Sequence, residues 1–164
     1  MDRVNQSRKP PRAAGSRRPK VLVIHGRDEL NLLRLKDMLR DHFHLIPVLL
    51  SDQPARGHTI IEKFEEQAAA VDFAIALMTP DDQVEFEKKR YRQARPNVHF
   101  ELGWIYRCLG RPRVCILVMK GTILPSNLHG INRIDFEQSV HEVAHQLESE
   151  LESAGIIKYA ARAS

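Results

Sequence analysis

Cysteine is scarce in this chain: only Cys108 and Cys115 occur, with no metal-like spacing. Both fall inside predicted regular elements, which implies buried free thiols in a reducing cytosol and a cytoplasmic protein. Long apolar runs are missing too. No window approaches the roughly 20 apolar residues that a membrane span needs, and the first residues hold no apolar run of the kind a secretory leader requires. No internal repeat is visible. An excess of one charge is also absent from the body of the chain. The formal net charge is +4, but residues 1–20 carry Arg3, Arg8, Lys9, Arg12, Arg17, Arg18 and Lys20 against Asp2 alone, which leaves 18 basic and 20 acidic residues for the rest. The basic balance therefore belongs to a tail and does not mark the body as a specific nucleic-acid binder. Residues 1–19, with Pro10, Pro11, Gly15 and Pro19, read as disordered: either a flexible linker or a segment making non-specific contact with nucleic acid or an anionic surface.

What is present is enough for one core, since domains cluster at roughly 100 to 150 residues. A single domain is expected over 20–156, with a short C-terminal tail at 157–164. Lys20–Ile24 is a continuous apolar run, as in a strand buried on both faces, and it breaks at His25-Gly26-Arg27-Asp28. Asp28 is a plausible N-cap for a helix with Leu32, Leu35, Met38 and Leu39 at helical spacing. A second strand follows at about 45–50, then a polar loop from Ser51 to His58. Thr59 and Glu62 have the spacing of a capping box. A third strand, 72–78, stops at Thr79-Pro80, and the polar interval 81–95 reads as an elaborated loop with one helical turn. Asn97 is expected to cap a helix that runs to about Leu109 and ends at Gly110. Strands at 114–119 and 131–136 and a terminal helix at 139–154 complete the pattern. Strands alternating with helices predict a flavodoxin-like three-layer sandwich, its five-stranded parallel sheet ordered 2-1-3-4-5. Ligands of such sheets bind beyond the carboxyl ends of the strands, where the loops at 25–28, after Thr79 and before the third helix converge.

One carboxylate there stands out. Val98, Leu102, Ile105 and Leu109 form the core stripe of the predicted third helix, and Glu101 lies roughly 60° from its centre. Asn97, Trp104 and Cys108 fall on the same side. A glutamate at the core edge beside an indole either complements the helix dipole or does chemistry.

The segments Val23 to Asp28, Gln53-Pro54 with Gly57 to Glu65, Leu77 to Asp82, and Asn97 to Leu102 with Gly110-Arg111 favour the second. They resemble, in collinear order over about residues 20–136, the TIR-like nucleotide-binding domains of bacterial antiphage systems. The resemblance implies that Glu101, in the Phe-Glu-Leu-Gly element, is the catalytic residue of NAD hydrolysis, with NAD as substrate and no cofactor or metal. Substrate-lining roles fall to Gly26, Arg27, Asp28, Pro80, Asp81, Asp82, Asn97 and Trp104. Alternatives stay open residue by residue. Gly26 either admits a phosphate or makes a tight turn, Asp81 and Asp82 line substrate or are solvated, and Trp104 stacks on a base or fills the core edge. The resemblance also implies a homo-oligomer on activation, with Asp52, Arg56, Gly57 and His58 in the self-association loop, and a sensor domain or partner protein. A non-enzymatic TIR adaptor and a nucleoside deoxyribosyltransferase are the competing readings. A phosphoacceptor receiver is disfavoured because its third strand would need an aspartate where Thr79 stands.

His141-Glu142-Val143-Ala144-His145 matches the zinc-protease pattern H-E-x-x-H. Val140, Val143, Leu147 and Leu151 make the core face of that helix, so both histidines should point to solvent, away from any cleft.

Overall fold

The computed structural model describes residues 17–50, 59–128, 131 and 133–158. Expectations for residues 1–16 and for the loop 51–58 lie outside the described residues. The last three residues of the expected tail do not hang free. Arg17 pairs with Asp72 at 2.8 Å, and the Arg18 guanidinium donates to the carbonyls of Arg40, His44 and Leu45.

The chain then runs β1 (Lys20–His25), α1 (Glu29–Asp37) with a wide π-helical turn at Met38–His42, β2 (Ile46–Val48), α2 (Ile60–Ala70) and β3 (Phe73–Met78). An inserted hairpin follows, β4 (Asp82–Phe86) and β5 (Lys89–Gln93), then α3 (Pro96–Leu109), β6 (Val114–Met119), β7 (Arg133–Phe136) and α4 (Ala144–Ser153). The main sheet is ordered β2-β1-β3-β6-β7 and every pairing in it is parallel. With the hairpin set aside, this is the 2-1-3-4-5 order read from the sequence.

Alternation along the strands builds the two cores. Val21, Val23, Ile75, Leu77 and Leu117 pack under Leu35 and Leu39 after β1 and under Leu147 and Leu151 of α4. Leu22, Ile24, Ala74, Ala76 and Ile116 meet Phe64 and Ala68 of α2 and Val98, Leu102 and Ile105 of α3. Every residue of the central strand β3 is buried. Its alanines face α3 and let that helix sit close. Each fully buried Leu or Ile contributes about 1.5–3 kcal/mol.

Two helix starts follow the sequence. Asp28 caps α1 by accepting from the Asn31 N–H at 2.9 Å, and Thr59 and Glu62 form the reciprocal capping box of α2. Asn31 adds an unforeseen tie. Buried, it donates to Asp28 and to the Gln138 carbonyl and accepts from the Val140 N–H, which fastens α1 to the approach to α4.

Four expectations need correction. The interval 81–95 is an antiparallel hairpin, not a loop with a helical turn. Asp82 and Val84 of one strand and Tyr91 and Gln93 of the other are partly buried and the rest are exposed, so a period of two exists in burial but not in hydrophobicity. The third helix begins at Pro96, with Arg95 in the capping position and no side-chain cap. Proline pre-sets the first helical residue, so Asn97 lies inside the first turn. The terminal helix is preceded by a 3₁₀ turn at Val140–Val143, which Ser139 and Glu142 cap. Cys108 is exposed, because it lies on the flank of α3 and not on its core stripe; Cys115 is buried, and burial pushes its thiol up to about 12.

Candidate functional site

α3 packs across β1, β3 and β6 and touches α2. Its core stripe, Val98, Leu102 and Ile105, is fully buried. Glu101 lies on the flank of the helix, one turn before Trp104, and is half-buried. Burial raises its pKa above the ordinary carboxylate range. Among the described residues it has no hydrogen-bond or ion-pair partner. An ionised carboxylate removed from water without a partner is a cost to the fold, and a cation or a hydroxyl donor brought beside it would relieve that cost.

Trp104, one turn further, is half-buried between two rings. Phe64 of α2 meets it edge-on, with centroids 6.3 Å apart, and Phe100 lies at 5.7 Å. Phe100 itself is 55% exposed. The indole thus fills the seam between the helices, and Phe100, next to Glu101 in sequence, leaves an exposed aromatic surface beside it. Phe100 was not foreseen, since nothing in the spacing separates an outward aromatic beside a site from an ordinary surface residue.

The loops at the same end of the sheet form a second constellation. Gly26 and Arg27 follow β1, and Thr79 to Asp82 follow β3, its parallel neighbour. The Asp81 carboxylate accepts from the Arg27 N–H at 3.1 Å and from the Thr79 hydroxyl at 2.8 Å. Asp82 lies 3.6 Å from the Arg27 guanidinium, and Arg92 of β5 donates to the Pro80 carbonyl. Asp28 is engaged as the α1 cap. Asn97 is exposed on the first turn of α3, on the Glu101 side. Asp52, Arg56, Gly57 and His58 lie outside the described residues.

Two open depressions of about 490 and 470 Å³ lie elsewhere, along the β7 edge. Their side chains are already engaged: Lys120 pairs with Glu137 and Arg133 with Asp135. Glu142 accepts from three backbone N–H groups, which hold its carboxyl below the usual range. That engagement also removes the glutamate from the H-E-x-x-H pattern. Its first histidine sits in the 3₁₀ turn and its second in α4, and both are exposed. Among the described residues no group of three or more His, Cys, Asp or Glu could hold a metal ion. Among the same residues no helix is long and apolar enough to cross a membrane.

A parallel sheet of this order, with a lone carboxylate on the helix that follows its central strand, defines a flavodoxin-like domain of the TIR class. Residues 20–138 match the CAP12/Pycsar effector protein TIR domain, and the chain belongs to that family. It is 38% identical over 141 residues to the uncharacterised protein YuaY of Escherichia coli (strain K12), covering 84% of this chain and 46% of YuaY. It is 40% identical over 96 residues to the Pycsar effector protein PaPycTIR of Pseudomonas aeruginosa, covering 57% of this chain and 30% of that protein. Protein tirC of Dictyostelium discoideum is 29% identical over 143 residues, covering 79% of this chain and 70% of tirC. The chain thus spans less than half the length of YuaY and of PaPycTIR. The SEFIR domain of IL-17 receptor B shares the fold, with a TM-score of 0.53 at 14% identity, covering 83% of this chain and 96% of that domain.

Proposed function

We propose that this domain is an NAD glycohydrolase in which Glu101 is the catalytic residue. The observation that carries the reading is the half-buried carboxylate of Glu101, without a partner among the described residues, on the same helix as the Phe100–Trp104 ring pair. When the bond between nicotinamide and ribose breaks, its electron pair stays on the pyridine nitrogen and neutral nicotinamide departs. No general acid is needed, unlike ordinary glycoside hydrolysis, where an alkoxide leaves. The ribose becomes oxocarbenium-like. A poorly solvated carboxylate stabilises that developing cation more than it stabilises the bound substrate, and this difference is what lowers the barrier. Water then adds to the anomeric carbon and loses a proton, which gives ADP-ribose.

In this reading Trp104 and Phe100 offer rings to the ligand, and Arg27 supplies charge for its phosphates. Self-association through the loop that holds Asp52, Arg56, Gly57 and His58 switches the activity on. The greater length of YuaY and PaPycTIR supports the further reading that a sensor region or partner protein supplies the trigger for a defence response. The test is to incubate concentrated protein with NAD and measure nicotinamide. Release at a rate proportional to enzyme supports the reading. No release from assembled protein would leave a non-enzymatic adaptor, and cleavage of deoxynucleosides instead of NAD would indicate a deoxyribosyltransferase.

A further inference from the structure

The segment Thr79-Pro80-Asp81-Asp82 and the pair Gly26-Arg27 are shaped to one another. Gly26 does not have a positive φ, so no turn demands glycine there. Space demands it. A Cβ built on Gly26 would overlap Oδ2 of Asp81 and lie 2.8 Å from its Cγ. The residue at 26 is therefore glycine because a carboxylate from the neighbouring strand end occupies the place of its side chain.

That carboxylate is held firmly. The Asp81 N–H donates to the Thr79 carbonyl at 2.8 Å, a three-residue turn around Pro80, whose ring pre-sets the φ such a turn needs. Thr79 is only 1% exposed, and its hydroxyl is satisfied by donating to Oδ1 of Asp81. Oδ2 takes the Arg27 N–H. The next residue, Asp82, reaches the Arg27 guanidinium, whose side chain stays 62% exposed, and Arg92 closes the root of the hairpin on Pro80. Both Asp81 oxygens are engaged inside the protein, while the one residue they present outward is Arg27.

We infer that Asp81 is a positioning residue: seated over Gly26, its carboxylate clasps the end of β3 and the root of the β4–β5 hairpin to the β1–α1 loop and sets Arg27 for a ligand. The kinetic arm of this inference rests on the proposed NAD chemistry; the clasp itself does not.

Four variants test it: Asp81→Asn, Asp81→Ala, Gly26→Ala and the double variant Gly26→Ala with Asp81→Ala. Asparagine fits the same seat, with its oxygen on the Arg27 N–H and its NH₂ donating to the Thr79 hydroxyl, so the clasp closes with one hydrogen bond reversed. The Gly26→Ala methyl collides with the carboxylate, and removing the carboxylate makes room. The expected melting temperature falls by several degrees for Gly26→Ala and recovers in part when Asp81→Ala is added. With NAD, Asp81→Asn should stay within about threefold of the parent kcat/KM. Asp81→Ala should lose on the order of tenfold, carried mainly by KM. Additive melting losses would overturn the clasp. So would an Asp81→Asn variant that melts like the parent yet is as defective as Asp81→Ala, because the charge would then act on the ligand directly. If the parent protein releases no nicotinamide, the catalytic reading fails while the melting cycle still decides the clasp.

Discussion

Trp104 of α3 stands edge-on to Phe64 of α2, with ring centroids 6.3 Å apart and planes at 88°, so the indole ties α2 to the helix that carries Glu101. Edge-to-face pairs of this kind contribute about 0.5–1.5 kcal/mol beyond the area they bury. Trp104→Phe should keep the seam closed. Trp104→Ala should lower unfolding free energy by about 2 kcal/mol or more, because the void lies between two packed helices. Denaturant titration of both variants checks this, and an alanine variant as stable as the parent would show that the seam is held elsewhere.

Glu101 should weaken the fold it belongs to. Burial raises its folded-state pKa. Between the ordinary glutamate range and that raised value the native state binds more protons than the unfolded state, so this group's contribution to stability falls as pH rises. Above that raised value the parent carries the full desolvation cost, and Glu101→Gln, which has no charge to bury, should melt higher there. The gap should close on acidification, as the parent carboxylate protonates. Melting curves from pH 4 to 8 read this directly; a Gln variant that is less stable at pH 7 would mean the charge has a partner.

Specific activity should rise with protein concentration. If assembly enriches the competent arrangement, as proposed, a dilution series of nicotinamide release per mole should curve upward and then level off. Substituting Arg56 or Gly57 should flatten that rise with little change in melting temperature, since substitutions away from a core, cap or buried network usually cost under about 0.5 kcal/mol. Full activity in a verified monomer would remove the loop from the account.

Much of this was legible in the sequence because single physical rules dominate locally. Residues 21–24 and Phe73–Met78 are continuous apolar runs, the pattern of a strand covered on both faces. Asp28 and Thr59 with Glu62 mark helix starts by the chemistry of their side chains, and Gly110 marks a helix end by having none; each is found in that role, Gly110 with φ 77°. The flank position of Glu101 followed from helical geometry. The β4–β5 hairpin was missed because its strands are charged and its turn, at Glu87 and Lys88 with φ of 49° and 60°, uses residues that rarely adopt left-handed backbone. Asn31 was missed because its partners at 138 and 140 lie far away in sequence. The reason for Gly26 was out of reach for the same cause: only the folded chain brings the Asp81 carboxylate to it.

The central claim is tested most directly by nicotinamide release from NAD by the parent protein and by Glu101→Gln at the same high concentration, with circular dichroism to show that both are folded. The substitution is nearly isosteric and removes the charge that would face the ribose cation. The account predicts release by the parent and a loss of at least about a hundredfold in kcat for the variant, the size typical of removing a group that stabilises transition-state charge. Comparable turnover by the two folded proteins would contradict it.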